Sequence, residues 1–477
     1  MATVPKIHLL DDLTTVTWSP LIGPFLILLF IGLRIHRVHD VGAGKPFPSN
    51  RYWFPSGQGD AAKFLHGKEN SVKWESEYGP IYRIWSGTNP EVVLTRPEDV
   101  QQVFKDSDKH IKAVNNNSGY ILGQLLGKCV GLVSQNEWKR RRTVRHFKTL
   151  EAGEILANGT IDPSADLKML PFWIIVDVLY GRLSREMENT LGELAPLREG
   201  IFCKVMEGGL SRFNWSRFFP TETNKSLESF RDRWVKFNQH ALDRAIHAGS
   251  RPPIVYLYNA VTSGTITQEH LLHTLDETLF ANLDVTLRAI SWNLVFLAAY
   301  PEHQQRILDE VREWKQHPKG GDFNDYFTDS TTYLSACISE SSRLRPLAAF
   351  SVPQAIPTDR VIGGYLFPAG TNFIVDAYAL NQRNRFWGKD GLEYRPDRHL
   401  SLSPVKSRYH FWRFGFGPRQ CMGKYVADMM LRIILVHLVE GYDLHLTDDQ
   451  AEDWRRDPDT WINHPEVTLK CMIRQKK

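Results

Sequence analysis

Phe414-Gly-Phe-Gly-Pro-Arg-Gln-Cys-Met-Gly423 is the stretch on which the reading of this 477-residue chain turns. Gly415, Gly417 and Pro418 specify a tight loop, because glycine supplies unusual backbone angles and proline fixes its own φ. Beyond it, Ala427, Met430, Leu431, Ile434 and Leu435 form one apolar face and predict a helix from about Met422. The loop thus delivers Cys421 to a helix N-terminus, where exposed amides and the helix dipole stabilise a thiolate. Gly423 removes a side chain where a flat group must approach. Arg419, two residues before the sulfur, has the charge to pair with a carboxylate of such a group. The plainer alternative is a buried cysteine in a glycine-rich turn.

The other four cysteines, Cys129, Cys203, Cys337 and Cys471, show no CxxC pair and no zinc-ligand spacing. A disulfide framework is not expected, and a reducing compartment suits the chain better. Apolar residues make up 42% and aromatics 12%, which supports a large core and argues against disorder. A net charge of +4 over this length gives no support to nucleic-acid binding.

The Phe414–Gly423 stretch resembles the haem-binding loop of cytochromes P-450, Phe-x-x-Gly-x-Arg-x-Cys-x-Gly, at every fixed position. The resemblance implies a haem b cofactor whose iron takes the Cys421 thiolate as axial ligand, with Arg419 and Phe414 in the cofactor site. Other stretches match in the family's order. Glu340-Ser-Ser-Arg343, followed by Leu344-Arg-Pro346, puts opposite charges at i, i+3 on one helix face. Tyr394-Arg-Pro-Asp-Arg-His-Leu400 is similar to the family's segment upstream of the haem loop, and implies Arg398 as third member of a structural Glu-Arg-Arg cluster. Trp138-Lys-Arg-Arg-Arg142 resembles the family's Trp-x-x-x-Arg helix, which implies that Trp138 and Arg142 hold a haem propionate. Lys139, Arg140 and Arg141 read either as a plain basic face or as part of the surface that receives an acidic electron donor.

The rest of the chain reads as follows. Tyr78–Gly87 and Glu91–Thr95 predict a β-hairpin, and Pro97–Phe104 a helix with proline in its first turn. One long helix is predicted from about Thr267 to Tyr300, roughly 50 Å. Thr267, or Thr265 with Gln268, caps it, and Leu275, Leu279, Leu283 and Leu287 recur along it. Phe280, Val285 and Ile290 make its other faces apolar too, so it is expected to be buried. Val361–Thr371 and Asn372–Asp376 read as short strands. The fold expected is mostly α with a minor β part, the cytochrome P-450 fold, with one catalytic domain over residues 51–477.

Leu13–Leu33 holds 21 residues without a charged side chain. As a helix it crosses the roughly 30 Å hydrocarbon layer of a membrane. Asp11 and Asp12 precede it and Arg34 and Arg37 follow, so the positive-inside rule puts the remainder in the cytosol. A cleaved signal peptide is the competing reading, but no small-residue cleavage site follows the apolar run. The expected order is a lumenal segment 1–12, a transmembrane anchor 13–33 in the endoplasmic reticulum, a Gly/Pro hinge 34–50, and a cytosolic domain.

Two departures from the family bear on chemistry. Where the family usually has Ala/Gly-Gly-x-Asp/Glu-Thr-Thr above the iron, this chain has Ala281-Asn-Leu-Asp-Val-Thr286. Asp284 is kept, Asn282 replaces glycine, and Val285 replaces the first threonine, whose hydroxyl helps deliver protons. The candidate catalytic residues are Asp284, Asn282 and Thr286, the last one residue further round the helix. Asp284 reads either as a proton relay or as a cap or pair within the core. In Val352-Pro-Gln-Ala355, Gln354 stands where many relatives carry a propionate-facing arginine.

The resemblance implies a monooxygenase that inserts one atom of O2 into a small, apolar organic substrate. Electrons would come from NADPH through a membrane-bound cytochrome P-450 reductase, since no Gly-x-Gly-x-x-Gly opens a helix after a strand. The style is similar to fungal microsomal members of secondary metabolism. Rival readings are rearrangement, dehydration or oxidative coupling without oxygen insertion, and a non-enzymatic haem-thiolate sensor or binding protein. By position, the substrate-facing candidates are the loop Ile111–Leu122, Phe280, Ala281 and Leu347–Val352. Phe213, Trp215, Phe218 and Phe219 read as a membrane-side entry or as plain packing.

Overall fold

Eleven short strands are found among the described residues, and they build three sheets. They are β1 (His39–Asp40), β2 (Ile81–Ser86), β3 (Asn89–Leu94), β4 (Ile111–Lys112), β5 (Thr160–Ile161), β6 (Gln354–Ala355), β7 (Arg360–Ile362), β8 (Tyr365–Phe367), β9 (Asn372–Val375), β10 (Tyr442–Leu446) and β11 (Leu469–Ile473). The structure is a computed structural model. It describes residues 38–112, 119–126, 128–129, 159–316, 323–447, 454 and 464–474, together with Gly23, Phe25, Leu26, Leu28 and Leu29.

The main sheet has the order β2-β3-β9-β6-β4. The predicted hairpin is its first pair, antiparallel with Ile81 opposite Leu94, and β3 runs parallel to β9 with Val92 opposite Phe373. Both faces are buried, which follows from the strands' dense apolar content. Val92, Leu94, Phe373 and Val375 point to one core with Val100 and Phe104 of the predicted helix Pro97–Phe104. Their neighbours Tyr82, Val93 and Ile374 point to the other, against Trp74 and Phe350. Two three-stranded sheets, β1-β8-β7 and β10-β11-β5, lie outside it.

A buried charge cluster ties this part to a distant loop. Lys63 pairs with Asp60 and Glu91, both at 3.1 Å, and Arg212 pairs with Asp60 at 2.8 Å. Each of the four side chains is nearly inaccessible, so removal of one leaves an uncompensated charge inside.

Helices make up most of the remainder, including Leu170–Tyr180, Arg185–Glu207, Glu222–His247, Pro301–Gln316, Tyr333–Leu344 and Lys424–Gly441. The helix predicted to run unbroken from Thr267 to Tyr300 is instead two. Gln268–Phe280 and Val285–Ala299 are α-helical, and Ala281–Leu283 between them is a 3-10 turn. Thr267 does cap the start, its hydroxyl accepting from His270 N at 3.2 Å. The break lies where Asn282 stands, a residue whose short amide competes for backbone groups. Its Nδ2 donates to Thr278 O at 2.6 Å. Asp284, at φ −114° and ψ −59°, lies off ideal helix geometry. Leu275, Leu279, Leu283 and Leu287 are all buried, as their spacing predicts.

The predicted span 13–33 lies outside the described residues except for the five named above. Among the described residues no helix is long and apolar enough to cross a membrane.

Candidate active site

The Cys421 loop is held by long-range contacts. Gly415 (φ +83°) and Gly417 (φ +65°) both adopt left-handed backbone. At Gly417 glycine is needed for space as well, since a Cβ there would meet Ser107 Oγ at 2.4 Å. Ser107 Oγ in turn donates to Phe416 O at 3.1 Å. The buried Phe416 packs edge-on against Tyr409 and Trp412, each at 5.0 Å. Cys421 N donates to Phe414 O at 2.7 Å and closes the loop.

The following helix begins at Lys424 with Gly423 as its N-cap, two residues later than the spacing predicts. The Cys421 side chain is exposed. A Cβ on Gly423 would lie 3.8 Å from its sulfur, so the glycine keeps that approach open. Arg419 is buried, and burial lowers its guanidinium to about 10. Phe414 is half-buried, with the Arg413 guanidinium 4.5 Å from its ring centre.

Behind the loop lies the Glu340 cluster. Arg343 Nε donates to Glu340 Oε2 at 2.7 Å and Arg398 Nε donates to Oε1 at 2.8 Å, so the three predicted members do meet. His399 Nε2 lies 2.9 Å from Oε2, and Arg395 N donates to Oε1 at 3.0 Å. Burial would raise the Glu340 carboxyl, but the bonds from Arg343 and His399 outweigh it and hold it at about 2. Arg343 Nη1 also donates to Asn381 O at 2.8 Å, in the turn Ala379–Arg383. The Asn381 side chain then grips the Trp412 backbone at both ends, accepting from N at 2.7 Å and donating to O at 2.9 Å. Sequence reasoning missed His399, Asn381 and Ser107. His399 sits beside Arg398 in the quoted Tyr394–Leu400 stretch, so a local signal existed for it; none existed for the other two.

On the broken helix two of the three candidate catalytic residues, Asn282 and Thr286, meet each other. Thr286 is buried and its hydroxyl donates to Asn282 Oδ1 at 2.7 Å. Asp284 is raised to about 6, first by burial and then by the charge of Glu199, against the pull of Arg198 and Lys168. Gln354 Oε1 lies 3.2 Å from Nδ1 of the fully buried His110. Trp138, Arg142 and the basic run between them lie outside the described residues. A cleft of about 510 Å³ lined by Asp162, Lys168 and His464, among others, includes none of these residues.

The model of the protein family described as Cytochrome P450 matches residues 60–154 and 145–470. The chain belongs to the cytochrome P450 family. Among curated relatives it is 48% identical over 463 residues to cytochrome P450 monooxygenase aclC of Aspergillus oryzae, covering 92% of this chain and 94% of that one. It is 46% identical over 459 residues to cytochrome P450 monooxygenase asaD of Aspergillus flavus, covering 92% and 88%. It is 38% identical over 473 residues to cytochrome P450 monooxygenase gliC of Aspergillus fumigatus, covering 93% and 92%. The chain is thus a P450 monooxygenase, mostly helical with a minor sheet. The residues present fit the haem that this family implies. An exposed thiol, a missing side chain beside it and a desolvated arginine supply a sulfur ligand, room for a flat ring and a cation for a carboxylate.

Proposed function

We propose that this P450 holds haem b through the Cys421 thiolate, with Arg419 toward a propionate, Phe414 beside the sulfur, and Trp138 and Arg142 completing the propionate contacts. The observation that carries this is the exposed Cys421 thiol on a loop braced from Ser107, Asn381 and the Glu340 cluster. When bound, the haem supplies oxygen activation, favoured by electron push from a thiolate. The chain's own residues do the rest. The Glu340–Arg343–Arg398–His399 cluster fixes the loop. Asp284 holds or passes a proton, which a carboxyl raised to about 6 is suited to do near neutral pH. Asn282 shapes the break on which Asp284 sits.

In this reading NADPH electrons arrive through a cytochrome P450 reductase, and the substrate is a small apolar organic molecule of fungal secondary metabolism. Residues 13–33 anchor the chain in the endoplasmic reticulum membrane, with the domain in the cytosol. Phe25, Leu26 and Leu28, all more than half exposed, support an apolar anchor surface. Trp215, Phe218 and Phe219 are also exposed, and the adjoining Arg212 is tied to Asp60, which supports a membrane-side face on a firmly attached segment. Removal of residues 1–33 should release the protein from alkali-washed membranes; retention there overturns the anchor.

The test of the reaction uses membranes containing the full chain and a reductase, supplied with metabolites that accumulate on gene deletion. The product should require NADPH and carry one oxygen from labelled O2. A product formed without that label supports the second reading, a rearrangement, dehydration or coupling. That reading has one observation in its favour: Val285 has no hydroxyl and the Thr286 hydroxyl is committed to Asn282.

A further inference from the structure

Lys168 stands on the wall of the cleft of about 510 Å³, and its Nζ donates to both carboxylate oxygens of Glu199, at 2.8 and 2.9 Å. Solvent reaches the pair, since 40% of the Lys168 side chain and 35% of the Glu199 side chain are exposed. The pair also lies beside the broken helix. Ser291 Oγ donates to Pro163 O at 3.1 Å, and Leu167 packs in one core with Leu287 and Ile290. Ser291 follows Asp284 by two helical turns, so both lie on one side of the helix Val285–Ala299. Residues 162–168 therefore run along the side that carries the half-buried Asp284. Glu199 comes to the same place from the helix Arg185–Glu207.

The charges that act on Asp284 oppose one another. Burial raises its carboxyl first and the negative charge of Glu199 second, while Arg198 and Lys168 pull the other way. Arg198 is fixed, being buried and bonded to Asp276 at 3.0 Å. Glu199 and Lys168 are the two that solvent reaches. The exposed Cys203, one turn beyond Glu199, feels the same groups. Burial raises its thiol, followed by Glu199, Asp284 and Glu207, and Lys168 lowers it. Asp162, Glu466 and His464 also line the cleft. Burial, then the charges of Arg288 and Lys168, lowers His464 to about 4, so its ring is neutral where Asp284 titrates.

We propose that Glu199 and Lys168, beside the cleft, form the solvent end of the proton supply to Asp284 and set the pH at which Asp284 takes up its proton. Both are positioning residues, acting on the reacting atoms only through Asp284. The inference rests on the reading of Asp284 as a proton relay. Glu199 draws protons from solvent and favours the protonated Asp284 carboxyl, because a like charge nearby disfavours the ionised form. Lys168 opposes that field and holds the Glu199 carboxylate in place. A relay works best when its affinity for the proton lies near the working pH, and two opposed charges provide that balance.

The experiment uses membranes with the full-length holoenzyme, a reductase and the metabolites that accumulate on gene deletion. It reads the share of NADPH electrons recovered as oxidised product from about pH 5 to 8. E199Q should move the acid-side rise of that share to lower pH and K168M to higher pH, each by at least about half a pH unit. E199Q/K168M should fall between the two. Alkylation of Cys203 by iodoacetamide needs no turnover, and it is selective because Cys129, Cys337 and Cys471 are buried and Cys421 is the iron ligand in the reading above. Its midpoint should fall in E199Q and in D284N and rise in K168M. Single variants that shift the product profile in the same direction, or leave it in place, overturn the proposal when D284N abolishes the acid-side rise. Alkylation midpoints unmoved by E199Q and K168M overturn it too. If D284N leaves the product profile unchanged, the relay reading of Asp284 itself fails and takes this proposal with it.

Discussion

Thr286 Oγ1 donates to Asn282 Oδ1 at 2.7 Å, across a break in what the sequence presents as one helix. Asn282 Nδ2 donates to Thr278 O, so one amide ties the turn before the break to the turn after it. N282A should destabilise the fold by about 1–2 kcal/mol, because the buried Thr286 hydroxyl loses its acceptor. T286V added to that variant should cost little more, since the interaction is already gone. Urea unfolding of both single variants and the double variant measures the coupling; simple additivity counts against it.

Asp284 should control where reducing equivalents go. D284N should keep NADPH oxidation but lower the share recovered as oxidised product. With Asp284 raised to about 6, proton delivery in the native protein should strengthen as pH falls toward 6, and the asparagine variant should lose that limb. Unchanged coupling across the pH range removes the relay and leaves Asp284 as a structural carboxyl.

Glu340 is an acceptor for four side-chain donor atoms from Arg343, Arg398 and His399, all within 2.9 Å. E340Q keeps the shape but leaves buried cations under-compensated, at a cost of about 3–5 kcal/mol. The loss should reach Cys421 through Arg343, Asn381 and Trp412, so haem content and the thiolate-type spectrum of the ferrous carbon monoxide complex should fall together. A well-folded variant with full haem content would falsify that coupling.

The same carboxyl sets an acid limit. Glu340 is depressed from 4.5 to about 2 in the fold, so the stability it contributes is present above 4.5 and disappears as pH falls toward 2. Asp276 and Asp284 have the opposite sign. Both are raised from 3.8 to about 6, so they cost stability at neutral pH and the cost is relieved as pH falls through 6. Urea midpoints should therefore hold or rise slightly between pH 7 and about 5, then drop below about 4.5. E340Q should flatten the lower drop, and D276N should flatten the upper change.

Much of this protein is decided by short stretches of sequence. The Phe414–Gly423 loop marks Cys421 because a left-handed turn, an open approach and a charge partner must all lie within ten residues of the sulfur. The hairpin at Tyr82, the helix Pro97–Phe104 and the Glu340–Arg343 pair are likewise local, since their determinants are turn residues, a first-turn proline and an i, i+3 spacing. Only the tertiary structure decided the rest. Ser107 finds Phe416 across 309 residues and Arg198 finds Asp276 across 78, and no local pattern carries such pairings. The broken helix shows the same division. Apolar periodicity predicts helix straight through Ala281–Leu283, because periodicity reports which faces are buried. It does not report that one side-chain amide, once packed among Thr278, Leu279 and Thr286, finds better partners across the turn than along it.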